Sequence, residues 1–335
     1  MLHFDPREDS RDDDRPVLLA LRALKLGDLL VAVPALHGLR RAHPGHRLVL
    51  AVPGWLEPIV DLVGGVDALL PTPGLNDPLP LAPGRVDIAV NLHGSGPESR
   101  LIVDALDARL SMVHQVPGLP EAPVPAPEWV DEMNERERWV RLVGAYGVPA
   151  DPGDTVLEIA APVPDARQLC ADPLTRAPTV VHVGAFHGSR LWPAERFAAV
   201  ARRLEGCGHR VVFTGSAAER ERALAVAEQA GLGAGRVLAG ELGLAEFAGV
   251  IAHARLVVSA DTGAAHLASA YRRPSVVLFG PAAPEIWGPP PGPHVVLTDA
   301  SKRRGDAFAT TPDPAILAVG VDDVLAAVDS LTRTT

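Results

Sequence analysis

The run DTGAAH at 261–266 closes an apolar stretch and opens a small-residue helical one. Backbone N–H groups at such a helix start lack helical partners and favour an anion such as a diphosphate. Thr262 adds a hydroxyl donor, and Gly263 lets a ligand approach the backbone closely. His266, about one turn on, reaches the same phosphate or a ribose. Asp261 reads equally well as a helix cap and His266 as a packed helix residue, so the motif alone leaves function at even odds. Three more turns of this kind follow apolar runs in the same half. HGSRLWP at 187–193 offers Arg190 to the charge that builds on a leaving diphosphate, although Trp192 reads as packing. Thr214, Gly215 and Ser216 bring hydroxyls toward phosphate, with Glu219 placed for a sugar or ribose hydroxyl or as a plain helix-start acid. FGP at 279–281 adds a sharp turn at Gly280. Four turns on one sheet edge make a shared donor site more credible than any one of them does.

Gly27 and Asp28 form the corresponding turn in the first half. A carboxylate there suits the base that takes a proton from an attacking hydroxyl in glycosyl transfer with inversion. Capping of the following helix is an equal reading of Asp28. The helix dipole favours its charged form, so such a base works chiefly by positioning.

These turns need a frame. Short apolar runs alternate with amphipathic helical stretches throughout, the pattern of parallel α/β units. In the first half, strands are expected at 17–24, 47–52 and 86–92, with helices at 29–42, 55–63 and 131–146. Pro34 falls inside the first helix and should kink it or displace its start. The proline-rich 116–127 is expected to be an irregular surface loop. In the second half, strands are expected at 179–183, 210–214, 256–259 and 275–279. Helices are expected at 194–205, 217–230, 244–254, 264–271 and 321–331. The resulting layout is a disordered acidic tail (1–16), an N-terminal Rossmann-like acceptor domain (17–165) and a C-terminal Rossmann-like donor domain (166–320). A last helix (321–335) packs back across the domains, and 160–178, with four prolines, is the connection. The expected fold is α/β, two doubly wound parallel sheets facing across a cleft, with ligands at the carboxyl ends of the strands.

Composition narrows the function classes. The 335 residues favour two domains, and 47% hydrophobic with 21% charged residues is the balance of a soluble globular enzyme. A net charge of -10 argues against a nucleic-acid partner, whose phosphates need a basic surface. Cys170 and Cys207 are the only cysteines and have no paired spacing, so a reducing cytoplasm is expected rather than a disulfide framework. No export signal is read at the start, and no apolar stretch is long enough to span a membrane, leaving at most peripheral membrane contact. A P-loop, a G-x-G-x-x-G fingerprint, HExxH and a Cys/His cluster are absent, and no DxD pair stands in a suitable loop. No obligatory metal and no cofactor beyond a nucleotide-diphosphate sugar substrate are expected.

The segment RALKLGD at 22–28 with Pro34, then Trp192-Pro193, Thr214-Gly215, DTG with His266, and FGP occur in one order along the chain. In this order they resemble glycosyltransferase family nine, the bacterial ADP-heptose:lipopolysaccharide heptosyltransferases, over about residues 17–330. The DTG-x-x-H segment followed by FGP is the most specific part. The resemblance implies a GT-B fold, an inverting and metal-independent mechanism, and an ADP-heptose-like donor. It also implies Asp28 as the base and Asp261, Thr262, Gly263 and His266 as donor contacts, with Glu219 near a family acidic position. Arg190 stands where the family commonly has lysine, so a fork replaces a point charge. The acceptor is a lipopolysaccharide core, another glycan or a small metabolite, since no basic stripe marks a phosphorylated lipid. Two competing functions are a nucleotide-sugar epimerase, which turns over donor alone, and a nucleotide-sugar binding protein without transfer.

Overall fold

The computed structural model describes residues 2–4, 14–121, 124–159 and 177–332. Contacts divide the chain into two units, Met1–Glu158 and Ile159–Thr335. The connection expected at 160–178 falls almost entirely outside the described residues.

In the first unit the strands are β1 (Leu2–His3), β2 (Val17–Leu21), β3 (Arg47–Val52), β4 (Ala68–Pro71), β5 (Ile88–Asn91) and β6 (Leu110–Met112). They form one sheet in the order β1-β4-β3-β2-β5-β6, parallel throughout. Every residue of β2 is buried, as expected of a central parallel strand covered on both faces. The helices are α1 (Leu26–Ala42), α2 (Glu57–Val63), α3 (Pro97–Asp104) and α4 (Glu135–Ala145). Helix α1 runs through Pro34 and is buried over most of its length. Gly38 gives it room: a Cβ there would stand 2.7 Å from the Ala150 Cβ and 3.0 Å from the Pro149 carbonyl.

Two expectations for this unit need correction. The tail expected to be disordered begins with a paired edge strand, Leu2 opposite Ala68 and His3 opposite Leu69, and Phe4 is buried beneath the Arg47 guanidinium, 5.0 Å from its ring. Those three residues pack although the charged segment that follows dominates the composition. Helix α1 starts at Leu26, not at 29, so Asp28 lies inside its first turn rather than ahead of it. Gly27 is a helical residue here, and reading it as a turn shortened the helix.

The second unit holds β7 (Thr179–His182), β8 (Val211–Thr214), β9 (Leu256–Ala260), β10 (Ser275–Leu278) and β11 (His294–Leu297). They form a parallel sheet in the order β11-β10-β9-β7-β8. Helices α5 (Ala194–Gly206), α6 (Arg220–Gln229), α7 (Leu244–Ala252), α8 (Gly263–Ala270), α9 (Pro284–Trp287), α10 (Pro314–Leu317) and α11 (Val321–Thr332) accompany it. One apolar core joins Val181, Phe213, Val258 and Leu278 of the strands to Phe197, Val226 and Val328 of the helices. Helix α11 therefore packs on its own unit, against α5, β10 and β11.

The strand orders fix where chemistry can gather. In the first sheet the chain steps from β2 outward to β3 and later returns to β2's other side with β5. In the second it steps from β7 to β8 and returns beside β7 with β9. A parallel sheet opens a crevice at the carboxyl ends of such reversing neighbours. The loops there are those after β2 and β5 in one unit, and those after β7 and β9 in the other.

Candidate active site

The neighbours β7 and β9 run in register, His182 opposite Ser259, so the turns that follow them meet. Asp261, one residue past β9, is almost completely buried. Its carboxylate stands 3.3 Å from Arg190 Nη1 and 3.7 Å from His266 Nε2. Arg190 Nη1 also donates to the Asp261 main-chain carbonyl at 3.2 Å. Arg190 comes from a 3-10 turn, Gly188–Arg190, that is fixed from below. Buried Ser189 donates its hydroxyl to the Ala307 carbonyl and its N–H to the Ala309 carbonyl. A Cβ on Gly188 would lie 1.8 Å from the Thr310 carbonyl oxygen, so only glycine fits. The sequence thus brings Arg190, Asp261 and His266 together at the start of α8. Asp261 is not the cap: Thr262 holds that position, with its Oγ1 3.0 Å from Ser259 Oγ. The burial of a carboxylate here depends on the Arg190 charge. Arg190 keeps about a third of its side chain exposed, and its Nε is buried with no hydrogen-bond partner among the described residues.

The turn after β8 differs from expectation. Thr214 is buried, and its hydroxyl lies 3.0 Å from His182 Nδ1, so it bonds inward rather than toward a ligand. Burial pushes His182 below the ordinary histidine range, and the Glu219 carboxylate pulls the other way. Ser216 donates its N–H to Glu219 at 2.6 Å, which folds the Glu219 carboxylate back toward the β7 end. It fills the space beside Gly184, where a Cβ would stand 2.1 Å from the Glu219 carboxyl carbon. Gly215 lies against the same side chain. Gly280 also has a packing reason: a Cβ there would meet the Ser189 carbonyl at 3.1 Å and Ile316 at 3.3 Å.

In the first unit, Asp28 accepts the Lys25 N–H at 3.1 Å and remains about a quarter exposed. Beside it lies Arg22, 1% exposed, which stands out in the sequence only as the first residue of the 22–28 motif. Its guanidinium stacks 4.6 Å from the Trp139 ring centroid. Burial pushes Arg22 below its ordinary range, and the Asp28 and Glu135 carboxylates oppose that shift. Glu135 itself is held by Arg138 at 2.7 Å. The loop after β5 carries His93, pushed down to about 4 by burial and then by the Arg22 charge. Farther in, His114 is pushed down to about 4 by burial, then by Arg138 and Arg141. It sits edge-on to Trp129 and Trp139 at 5.0 and 5.9 Å, and neither ring nitrogen has a hydrogen-bond partner among the described residues. The spacing of Glu135, Arg138 and Trp139 on one face of α4 was the available signal for this cluster.

Among the described residues no three His, Cys, Asp or Glu side chains gather as a metal-ligand set, and no helix is long and apolar enough to cross a membrane.

Known proteins share this frame. Residues 135–303 match the pattern described as glycosyltransferase family 9 (heptosyltransferase). Lipopolysaccharide heptosyltransferase 1 of Pseudomonas aeruginosa is 39% identical over 145 residues, 43% of this chain and 38% of that protein. Lipopolysaccharide heptosyltransferase 2 of Escherichia coli is 35% identical over 134 residues, 36% of this chain and 37% of that protein. The chain thus matches less than half the length of these relatives. The solved structure of a family 9 glycosyl transferase from Veillonella parvula superposes with a TM-score of 0.76 at 20% identity, covering 96% of this chain and 98% of that one. The fold is accordingly GT-B-like, two parallel-sheet domains.

Proposed function

Because the chain belongs to glycosyltransferase family 9, the heptosyltransferase family, we propose that it transfers a sugar from a nucleotide-diphosphate donor to an acceptor hydroxyl, with inversion. The observation that carries this reading is the Arg190, Asp261 and His266 set at the start of α8, where β7 and β9 part. An anion bound there meets the outward N–H groups of a helix start and the exposed part of a guanidinium held in place by a carboxylate.

In this reading the second unit is the donor domain and the first the acceptor domain. Asp28 takes the acceptor hydroxyl proton while that oxygen attacks the anomeric carbon. The bond from this carbon to the diphosphate breaks in the same displacement, and the leaving group takes its electron pair onto oxygens beside Arg190 and the Thr262–Gly263 turn. Such charge stabilisation at the leaving group is worth several kcal/mol, roughly 3–4 for one well-placed donor, and no step needs a metal. Ser216 offers its hydroxyl to the diphosphate, and the Glu219 carboxylate, beside the Ser216 N–H, accepts from a sugar or ribose hydroxyl. The names of the matched relatives favour a heptose as the sugar, and the family resemblance favours ADP as its carrier. The acceptor is a lipopolysaccharide core, another glycan or a metabolite hydroxyl. The paucity of cysteine agrees with a cytoplasmic setting.

Asp28→Asn tests the base directly. With ADP-heptose and inner-core lipopolysaccharide, transfer should fall at least 10²-fold, about the contribution of general base catalysis. ADP binding, measured separately by calorimetry, should stay within about twofold of wild type. Unchanged transfer in the variant removes Asp28 from the role of base.

A further inference from the structure

Arg22 stands at the end of β2, and what it grips is mostly main chain. Its Nε donates to the Asp28 carbonyl at 2.8 Å. Its Nη1 donates to the Leu92 carbonyl and reaches the His93 carbonyl at 3.4 Å. One buried guanidinium therefore joins the first turn of α1 to the loop after β5, the two segments at the reversal point of the first sheet. Nη2 is left over. It is buried without a hydrogen-bond partner among the described residues, 3.8 Å from Asp28 Oδ1 and 4.0 Å from Glu135 Oε2. Glu135 is already bonded to Arg138, so Asp28 is the carboxylate whose charge is left to balance Arg22.

We propose that Arg22 is the positioning residue for Asp28. Its planar fork locks the Asp28 carbonyl and the β5 loop in one register and aims Nη2 at the Asp28 carboxylate, while the Trp139 face prevents the fork from turning. The other carboxylate oxygen is held by the Lys25 N–H, so the base is fixed from two sides with its outer edge in solvent. A lysine could keep the charge but could not serve the three carbonyls and face the carboxylate at once, because it has one nitrogen where arginine has a rigid fork. This proposal rests on the reading of Asp28 as base.

The test pairs Arg22→Lys with Asp28→Asn in the full chain. Hydrogen exchange needs no acceptor: in Arg22→Lys, amides 25–30 and 92–96 should exchange together, at least tenfold faster than wild type, with amides of the second unit unchanged. With ADP-heptose and inner-core lipopolysaccharide, Arg22→Lys should lose 10- to 10²-fold in kcat with donor KM within about twofold. The double variant should be no slower than Asp28→Asn alone, because a residue acting through Asp28 has nothing left to position. Multiplying losses in the double variant, or exchange that rises in only one of the two segments, would overturn the proposal. If Asp28→Asn keeps full transfer, the base assignment fails by itself, and coupled exchange still decides whether Arg22 joins the two loops. Should Arg22→Lys not fold, Trp139→Leu, which removes the ring beneath the guanidinium, is expected to give the same coupled exchange and the same non-additivity. Its absence there would likewise overturn the proposal.

Discussion

Asp261 illustrates how a charged side chain can be almost fully buried and still tolerated. Its carboxylate has a guanidinium on one side and an imidazole on the other, and its own carbonyl is bonded by that same guanidinium. Replacing it with asparagine keeps the shape and removes the charge. Because Arg190 is about a third exposed, water can take over part of the lost pairing, so the stability cost is about 1–2 kcal/mol rather than that of a fully buried pair. Binding should suffer more than folding: Arg190 would lose its anchor, and ADP affinity should fall at least tenfold in Asp261→Asn, measured by calorimetry beside a thermal melt. Equal ADP affinity in variant and wild type would dissociate this residue from the donor. The types and order of Asp261, Thr262, Gly263 and His266 were legible because an apolar run, a polar turn and a small-residue helix follow one another locally. The partnership of Arg190 with Asp261 spans 71 residues and left no local mark. Arg22 was still less legible, since its partners are backbone carbonyls that any residue would supply.

At the scale of elements, four-residue strands that are apolar and buried along their length, such as β8 and β10, followed from sequence, whereas β4, β6 and β11 did not. β6 and β11 lie at sheet edges with partly exposed residues, and β4 ends on an exposed proline, so none of the three has the uninterrupted buried character of a central parallel strand. The start of α1 was misplaced because glycine beside aspartate reads as a turn, although a parallel strand can pass into a helix through just such a pair. Helix α4 carries its own testable consequence. His114 is packed against Trp139 of this helix and Trp129 before it, under the positive charges of Arg138 and Arg141, which keeps it neutral in the fold down to about pH 4. Unfolded, the same ring titrates near its ordinary value of about 6.5. Its folded value is the lower one, so the stability linked to its neutral form is present above about pH 6.5 and is lost as pH falls from there toward 4. His114→Phe removes that term and keeps an aromatic ring in place. Thermal melts at pH 7 and pH 4.5 should show the variant losing less stability than wild type across this interval, by roughly 1–3 kcal/mol. The same pH dependence in both proteins would contradict the burial of a neutral ring.

At the scale of the whole molecule, each unit has a parallel sheet with its own apolar core and its own reversal point, and each reversal point carries one part of the proposed chemistry. The two-domain α/β reading came from the alternation of apolar runs with amphipathic stretches, which is a property of many residues and survives local errors. The edge strand at Leu2–His3 was hidden by the charged composition around it. The assignment of transfer, rather than isomerisation or binding alone, is tested most directly by incubating the full chain with ADP-heptose, with and without a panel of glycan and small-molecule acceptors. Products are read by mass spectrometry and the anomeric configuration by NMR. Release of ADP together with a new glycoside of inverted configuration, formed only when an acceptor is present, is the expected result. Conversion of the donor sugar without acceptor, a glycoside of retained configuration, or binding of ADP with no transfer across the panel would contradict it.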